Sequence, residues 1–116
     1  MEYCLISVAE TQPFQRKAAQ LLSEFERSEL ITHLSVNPSA GVLIKGAGGI
    51  RKLRWARSGR GKSGGVRVVY YFHSQEMPLY LLTLFGKNEK ANLSMEEKNT
   101  LSKLVRELVK YWSERK

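Results

Sequence analysis

A chain of 116 residues, 42% hydrophobic and 26% charged, is long enough for one hydrophobic core but not two, so a single domain spanning residues 1–116 is expected. Its net charge of +8 is unevenly spread: no Asp or Glu occurs from Leu30 to Gln75, a run that holds Lys45, Arg51, Lys52, Arg54, Arg57, Arg60, Lys62 and Arg67. Crowded like charges repel, which points to an anionic partner, nucleic acid ahead of a membrane surface, while a lone Cys4, two distant histidines and an absence of Asp leave little with which to build a disulfide or a metal site.

Tyr3 to Ala9 alternates as a first strand, with Cys4 read as a small buried residue. The segment is too short for a membrane span and has no basic lead of a signal peptide, so a cytoplasmic protein is expected. Phe14, Ala18, Leu21, Leu22 and Phe25 recur at helical spacing behind Pro13, which predicts a helix from Gln12 to about Leu22. Ser23-Glu24-Phe25-Glu26 is a capping box that starts a second helix, and Asn37-Pro38 ends it near Val36. Gly41 to Gly49 reads as a loop with a short apolar insert at Val42, Leu43 and Ile44. Ile50 to Arg57, Gly65 to His73 and Leu79 to Phe85 read as strands, the last bounded by Pro78 and Gly86. Ser94-Met95-Glu96-Glu97 is a second capping box, opening a C-terminal helix whose apolar face carries Leu101, Leu104, Val105, Leu108 and Trp112. The fold class is therefore α+β.

Side chains two apart on a strand share a face, so Lys52 and Arg54 lie together, as do Arg67, Val69, Tyr71 and His73 on the next strand. Antiparallel pairing sets Arg67 and Tyr71 beside Lys52 and Arg54, three cations and a phenol around a space suited to a phosphodiester. Leu53, Trp55, Val68 and Phe72 then face the core. The bland alternative is a pair of solvated strand faces, which the missing acids weigh against. Between these strands, Ser58-Gly59-Arg60-Gly61-Lys62-Ser63-Gly64 suits gripping a backbone more than reading bases. Gly61-Lys62-Ser63 is no phosphate-binding loop of the Walker kind, because Ala56 stands where its first glycine belongs and a strand follows. His33 and His73 read as structural, and Trp112 and Tyr111 as packing residues. Lys87 follows Gly86 in a turn from which it can swing toward the basic face.

The strings Gly48-Gly49-Ile50-Arg51-Lys52-Leu53-Arg54, Arg60-Gly61-Lys62-Ser63-Gly64-Gly65-Val66-Arg67-Val68-Val69-Tyr70-Tyr71-Phe72 and Gly86-Lys87-Asn88-Glu89, in this order after two helices, closely resemble the RelE/HigB-like toxins of bacterial toxin–antitoxin modules, and the HigB-type branch in particular. The likeness covers most of the chain. It implies two N-terminal helices packed on a twisted antiparallel sheet, with a C-terminal helix, and a ribosome-dependent endonuclease that cuts messenger RNA and so inhibits translation. The implied partners are the 70S ribosome, the messenger and a neutralising antitoxin, HigA-like with a DNA-binding helix-turn-helix; no cofactor and no membrane are implied.

By the same resemblance Lys52, Arg54, Arg67 and Lys87 occupy catalytic positions. RelE itself carries a tyrosine in its C-terminal segment, where this chain reads Lys90-Ala91-Asn92-Leu93-Ser94, so Tyr71 is the substitute the sequence offers. Lys45, Arg51, Arg57, Arg60, Lys62 and Lys90 are then the grip on ribosomal and messenger phosphates. The implied chemistry is metal-free attack of the RNA 2′-hydroxyl on its own 3′-phosphate. Lys52 or Lys87 acts as base, helped by neighbouring guanidiniums that disfavour a further positive charge, and Arg54 and Arg67 clamp the phosphate. Two other readings stay open: a non-catalytic RNA- or DNA-binding module, and a degenerate toxin that serves as a corepressor with its antitoxin.

Overall fold

A computed structural model describes residues 5–56 and 65–115. Strand β1 (Val8–Glu10) leads into helices α1 (Gln12–Leu21) and α2 (Glu24–Val36). Four strands follow, β2 (Val42–Leu43), β3 (Arg51–Trp55), β4 (Val66–Tyr71) and β5 (Leu79–Gly86), and then helix α3 (Met95–Ser113). Tyr3 and Cys4, expected at the first strand, and the 58–64 connector with Arg57, Arg60 and Lys62 lie outside the described residues.

Local chemistry sets the helix boundaries. Thr11 caps α1 by accepting the Phe14 N–H, with Pro13 in the first turn. Both expected capping boxes form: Ser23 and Glu26 exchange side-chain and backbone hydrogen bonds at the start of α2, and Ser94 and Glu97 do so at α3. Between α1 and α2, Leu22 is extended (φ −127°, ψ 145°), which resets the helical phase. Phe25 therefore leaves the apolar stripe expected of it and is 67% exposed.

The five strands form one sheet in the order β1-β5-β4-β3-β2. Its four C-terminal strands pair antiparallel, as expected, but β1 lies parallel to β5, making the sheet mixed. The apolar insert expected inside a loop is β2, a two-residue strand pairing Val42 with Lys52 and Leu43 with Arg51. Where β4 meets β5 the register slips: Val69 faces Thr83 but Tyr70 faces Leu81, so Leu82 is the extra residue of a bulge. The Thr11 hydroxyl lies 3.0 and 2.9 Å from the carbonyl oxygens of Leu81 and Leu82 and shares its one proton between them, while the Thr11 N–H donates to Leu81 at 3.1 Å.

Helices cover both faces of the sheet, each over its own core. On one face Phe14, Ala18, Leu22, Leu30 and Leu34 of the N-terminal helical region pack on Val66, Val68, Tyr70, Leu79, Leu81 and Leu84, with Leu53, Trp55 and Phe72 at the margin. On the other, Leu101, Val105, Leu108, Val109 and Trp112 of α3 pack on Val69, Tyr71, Leu82 and Phe85. Leu104, expected on that apolar face, is 39% exposed, and Val109 is inside instead. Trp112 is a packing residue whose indole N–H donates to the Tyr80 hydroxyl at 2.9 Å. No helix among the described residues is long and apolar enough to cross a membrane.

Candidate functional site

Antiparallel pairing of β3 with β4 sets Lys52 opposite Val69 and Arg54 directly opposite Arg67, on the face that α3 covers. α3 packs over Val69 and Tyr71 and stops short of the two arginines. The gap is a cleft of about 640 Å³ bordered by Lys52, Arg54, Arg67, Lys87 and Lys90, with Ala40 and Val42 forming an apolar wall. Arg54, Arg67 and Lys87 also border an adjoining cleft of about 280 Å³. Like charges placed directly across a strand pair are destabilising, and among the described residues no carboxylate pairs with Arg54, Arg67 or Lys87. Such an array is suited to an anion, which would relieve the repulsion.

The segment after β5 is held at three points, and each one shapes the cleft. Lys17 of α1 binds Glu89 at 2.8 Å, fixing the turn that presents Lys87. Lys90 pairs with Glu97 in the first turn of α3 and stands 5.2 Å from the centre of the Phe85 ring. Asn92 Oδ1 accepts a hydrogen bond of 3.1 Å from Lys52 Nζ. The Lys17 hydrogen bond lowers the pKa of Glu89, and the Lys90 hydrogen bond, seconded by the Ser94 amide, lowers that of Glu97. Carboxyls depressed in the folded state contribute stability above their ordinary value of about 4.3, and this is lost as pH falls through the depressed values. The melting temperature of Glu97→Gln will therefore lie below that of the wild type at neutral pH and converge on it under acid. A gap unchanged from pH 7 to pH 3 would show that the pair carries no such linkage.

The wall of the cleft is pinned from the far side of the sheet. Tyr70 is fully buried, and its hydroxyl donates to the Pro38 carbonyl and accepts from the Gly41 N–H, both at 2.8 Å. Burial raises its pKa, opposed by the Gly41 amide and the Arg51 charge. The Arg51 guanidinium donates to the carbonyl oxygens of Gly41 at 2.7 Å and Ser39 at 3.3 Å. Gly41 is required by this close approach, since a Cβ there would sit 2.9 Å from Tyr70 Cε1 and 3.0 Å from the Lys52 carbonyl oxygen.

A family model described as the RelE toxin of the RelE / RelB toxin-antitoxin system matches residues 7–115. The chain belongs to the RelE toxin family. Among solved structures, that of an E. coli toxin RelE mutant with two arginines changed to alanine, in the free state, matches with a TM-score of 0.54. The match covers 74% of this chain and 87% of that one at 14% identity, a likeness of fold. Membership in the RelE toxin family makes the chain a toxin of a toxin–antitoxin system and implies a cognate antitoxin as its partner.

Within this RelE-family fold the expected site residues separate. Lys52, Arg54, Arg67, Lys87 and Lys90 meet in the cleft. Tyr71 does not: it has the parity of Arg67 but lies further along β4, 7% exposed in the core beneath α3, where burial raises its pKa. Arg51 points to the opposite face from Lys52 and is spent on the Ser39 and Gly41 carbonyls, so it shapes the wall instead of gripping from the basic face. Lys45 is exposed in the β2–β3 turn and borders neither basic cleft. The His33 ring lies 5.2 Å from that of Trp55 at a 42° tilt, and exposed His73 sits 6.2 Å from the Tyr71 ring, away from the cations. Two contributors were missed, Asn92 and the buried Tyr70. Asn92 had a readable signal, a polar residue in the segment that follows Lys87; for Tyr70 nothing local announced its reach to Pro38 and Gly41.

Proposed function

We propose that this toxin is a ribosome-dependent messenger RNA endonuclease of the HigB-type branch, acting in the cytoplasm and restrained by a HigA-like antitoxin with a DNA-binding helix-turn-helix. The observation that carries the reading is the cross-strand pair Arg54 and Arg67, unpartnered by any described carboxylate and flanked by Lys52 and Lys87 in one cleft. Guanidiniums opposite one another suit the equatorial oxygens of a phosphorane, where charge grows as the reaction proceeds. In the proposed step the 2′-oxygen of RNA bonds to the adjacent phosphorus and the bond from phosphorus to the 5′-oxygen breaks. The 2′-hydroxyl proton passes to Lys52 or Lys87 and the departing 5′-oxygen takes up a proton from solvent, leaving a cyclic phosphate on one fragment and a 5′-hydroxyl on the other. Lys90, already paired with Glu97, contributes to holding RNA and takes no part in the proton transfer. Tyr71, distant from the clamp, has no role in this scheme.

Expression of the chain with and without its antitoxin, coupled to mapping of messenger 5′ ends, tests the proposal. Growth arrest with codon-phased cuts bearing 5′-hydroxyl ends, both suppressed by the antitoxin, is the expected result. Steeply salt-dependent RNA binding with no scission on ribosomes would identify a non-catalytic binding module instead.

A further inference from the structure

Of residues 77–95 only Glu89 is acidic. It belongs to the segment from which Lys87, Lys90, Ala91 and Asn92 border the 640 Å³ cleft, yet its own side chain stays out of the lining. Lys17 Nζ donates to both of its carboxylate oxygens, at 2.9 and 2.8 Å, and α1, which carries Lys17, packs on the opposite face of the sheet from the cleft. An exposed pair of this kind contributes little to stability. The turn also has a backbone frame of its own: the Lys87 N–H donates to the Gly65 carbonyl at 3.2 Å, and the Glu89 N–H to the Gly86 carbonyl at 3.0 Å. What Lys17 adds is the neutralisation of a negative charge two residues from Lys87, a cation paired with no described carboxylate. Lys90, whose charge also acts on Glu89, is already paired with Glu97.

We propose that Lys17 is a positioning residue for the phosphate site: by holding the Glu89 carboxylate toward α1, it keeps this acid from pairing with Lys87 and from repelling RNA at the cleft. Its part in the reaction rests on the ribonuclease reading above. Without Lys17 the carboxylate remains tied to the turn, because Oε1 also accepts from the Gly86 N–H at 3.4 Å. Lys87 is then the unpaired cation nearest to it along the chain. A Glu89–Lys87 pair would withdraw Lys87 from the substrate and set a negative charge beside an incoming phosphate.

Cleavage of messenger on programmed ribosomes, measured as kcat/KM at low and high salt, tests this with wild type, Lys17→Gln, Glu89→Gln and the double variant. Lys17→Gln is expected to lose about three- to tenfold relative to wild type at low salt, the range for one added charge at a partly screened site, and to lose less at high salt. In the double variant the freed acid is gone, so cleavage should return to the level of Glu89→Gln although neither variant has the bridge. Lys17→Arg keeps the charge and should cleave like the wild type. Lys17→Gln combined with Glu29→Gln, an exposed acid of α2, restores the same net charge and should rescue nothing. Equal losses in both single variants and the double would mean that the bridge only braces the turn. That outcome, rescue by Glu29→Gln, or undiminished cleavage in Lys17→Gln would each overturn the role of Lys17 while leaving the ribonuclease reading intact. Absence of any wild-type cutting would overturn both.

Discussion

Arg67→Ala will slow messenger cleavage on the order of 100-fold or more while leaving the melting temperature unchanged or slightly raised. The two halves of this expectation come from one feature, the direct pairing of Arg67 with Arg54 across β3 and β4. In the free protein the pair is a repulsion that no described carboxylate relieves, and like charges set opposite each other cost roughly 0.2–1 kcal/mol. Removing one guanidinium ends that repulsion, which offsets the packing lost from a half-buried side chain. In the proposed reaction the same pair is the preorganised contact for developing phosphorane charge, and such contacts are worth far more in a transition state than in the ground state. Arg67→Lys separates shape from charge: it keeps the repulsion but loses the planar fork, so cleavage should recover only in part. Inorganic phosphate should raise the melting temperature of the wild type more than that of Arg67→Ala. Cleavage on ribosomes and thermal melts with and without phosphate are the measurements. Full activity in Arg67→Ala would remove Arg67 from the site.

Where the sequence was informative, the determining interactions were local. The capping boxes at Ser23 and Ser94 involve residues three apart, and both form as the spacing predicts. Strand parity placed Lys52, Arg54 and Arg67 on one face and Leu53, Trp55 and Val68 on the other, because alternation holds without interruption through β3 and β4. It failed where a distant partner intervenes. The parallel pairing of β1 with β5 joins strands some seventy residues apart, with Val8 facing Leu79, and nothing near Val8 encodes it. The bulge at Leu82 reverses alternation, so that Leu81 and Leu84 face one core and Leu82 and Phe85 the other. Within the site, charge alone is a poor guide to position: parity sets Arg51 on the opposite face from Lys52, where it holds the Ser39 and Gly41 carbonyls, and the residue that touches Lys52 is the neutral Asn92.

Tyr70 and Tyr71 are neighbours of identical chemistry, and their replacement by phenylalanine should give opposite results. Tyr70→Phe keeps the ring in its core but strips the Pro38 carbonyl and the Gly41 N–H of their shared partner, a loss of about 1–3 kcal/mol for buried groups left unpaired. Arg51 still holds the Gly41 carbonyl, so the loop should loosen before it detaches. Because Ala40 and Val42 flank Gly41 and wall the cleft, and Val42 pairs with Lys52, the loosening reaches the site and cleavage should fall as well. The Tyr71 hydroxyl is paired with no described residue and lies away from the cations. Tyr71→Phe should therefore change stability by less than about 0.5 kcal/mol and leave cleavage near wild type, as expected for substitutions that break no buried interaction. Denaturant melts and ribosomal cleavage assays on the two variants decide the matter. A severe loss of cleavage in Tyr71→Phe with stability intact would return that phenol to the catalytic set, and an unperturbed Tyr70→Phe would mean that the cleft wall stands without its anchor.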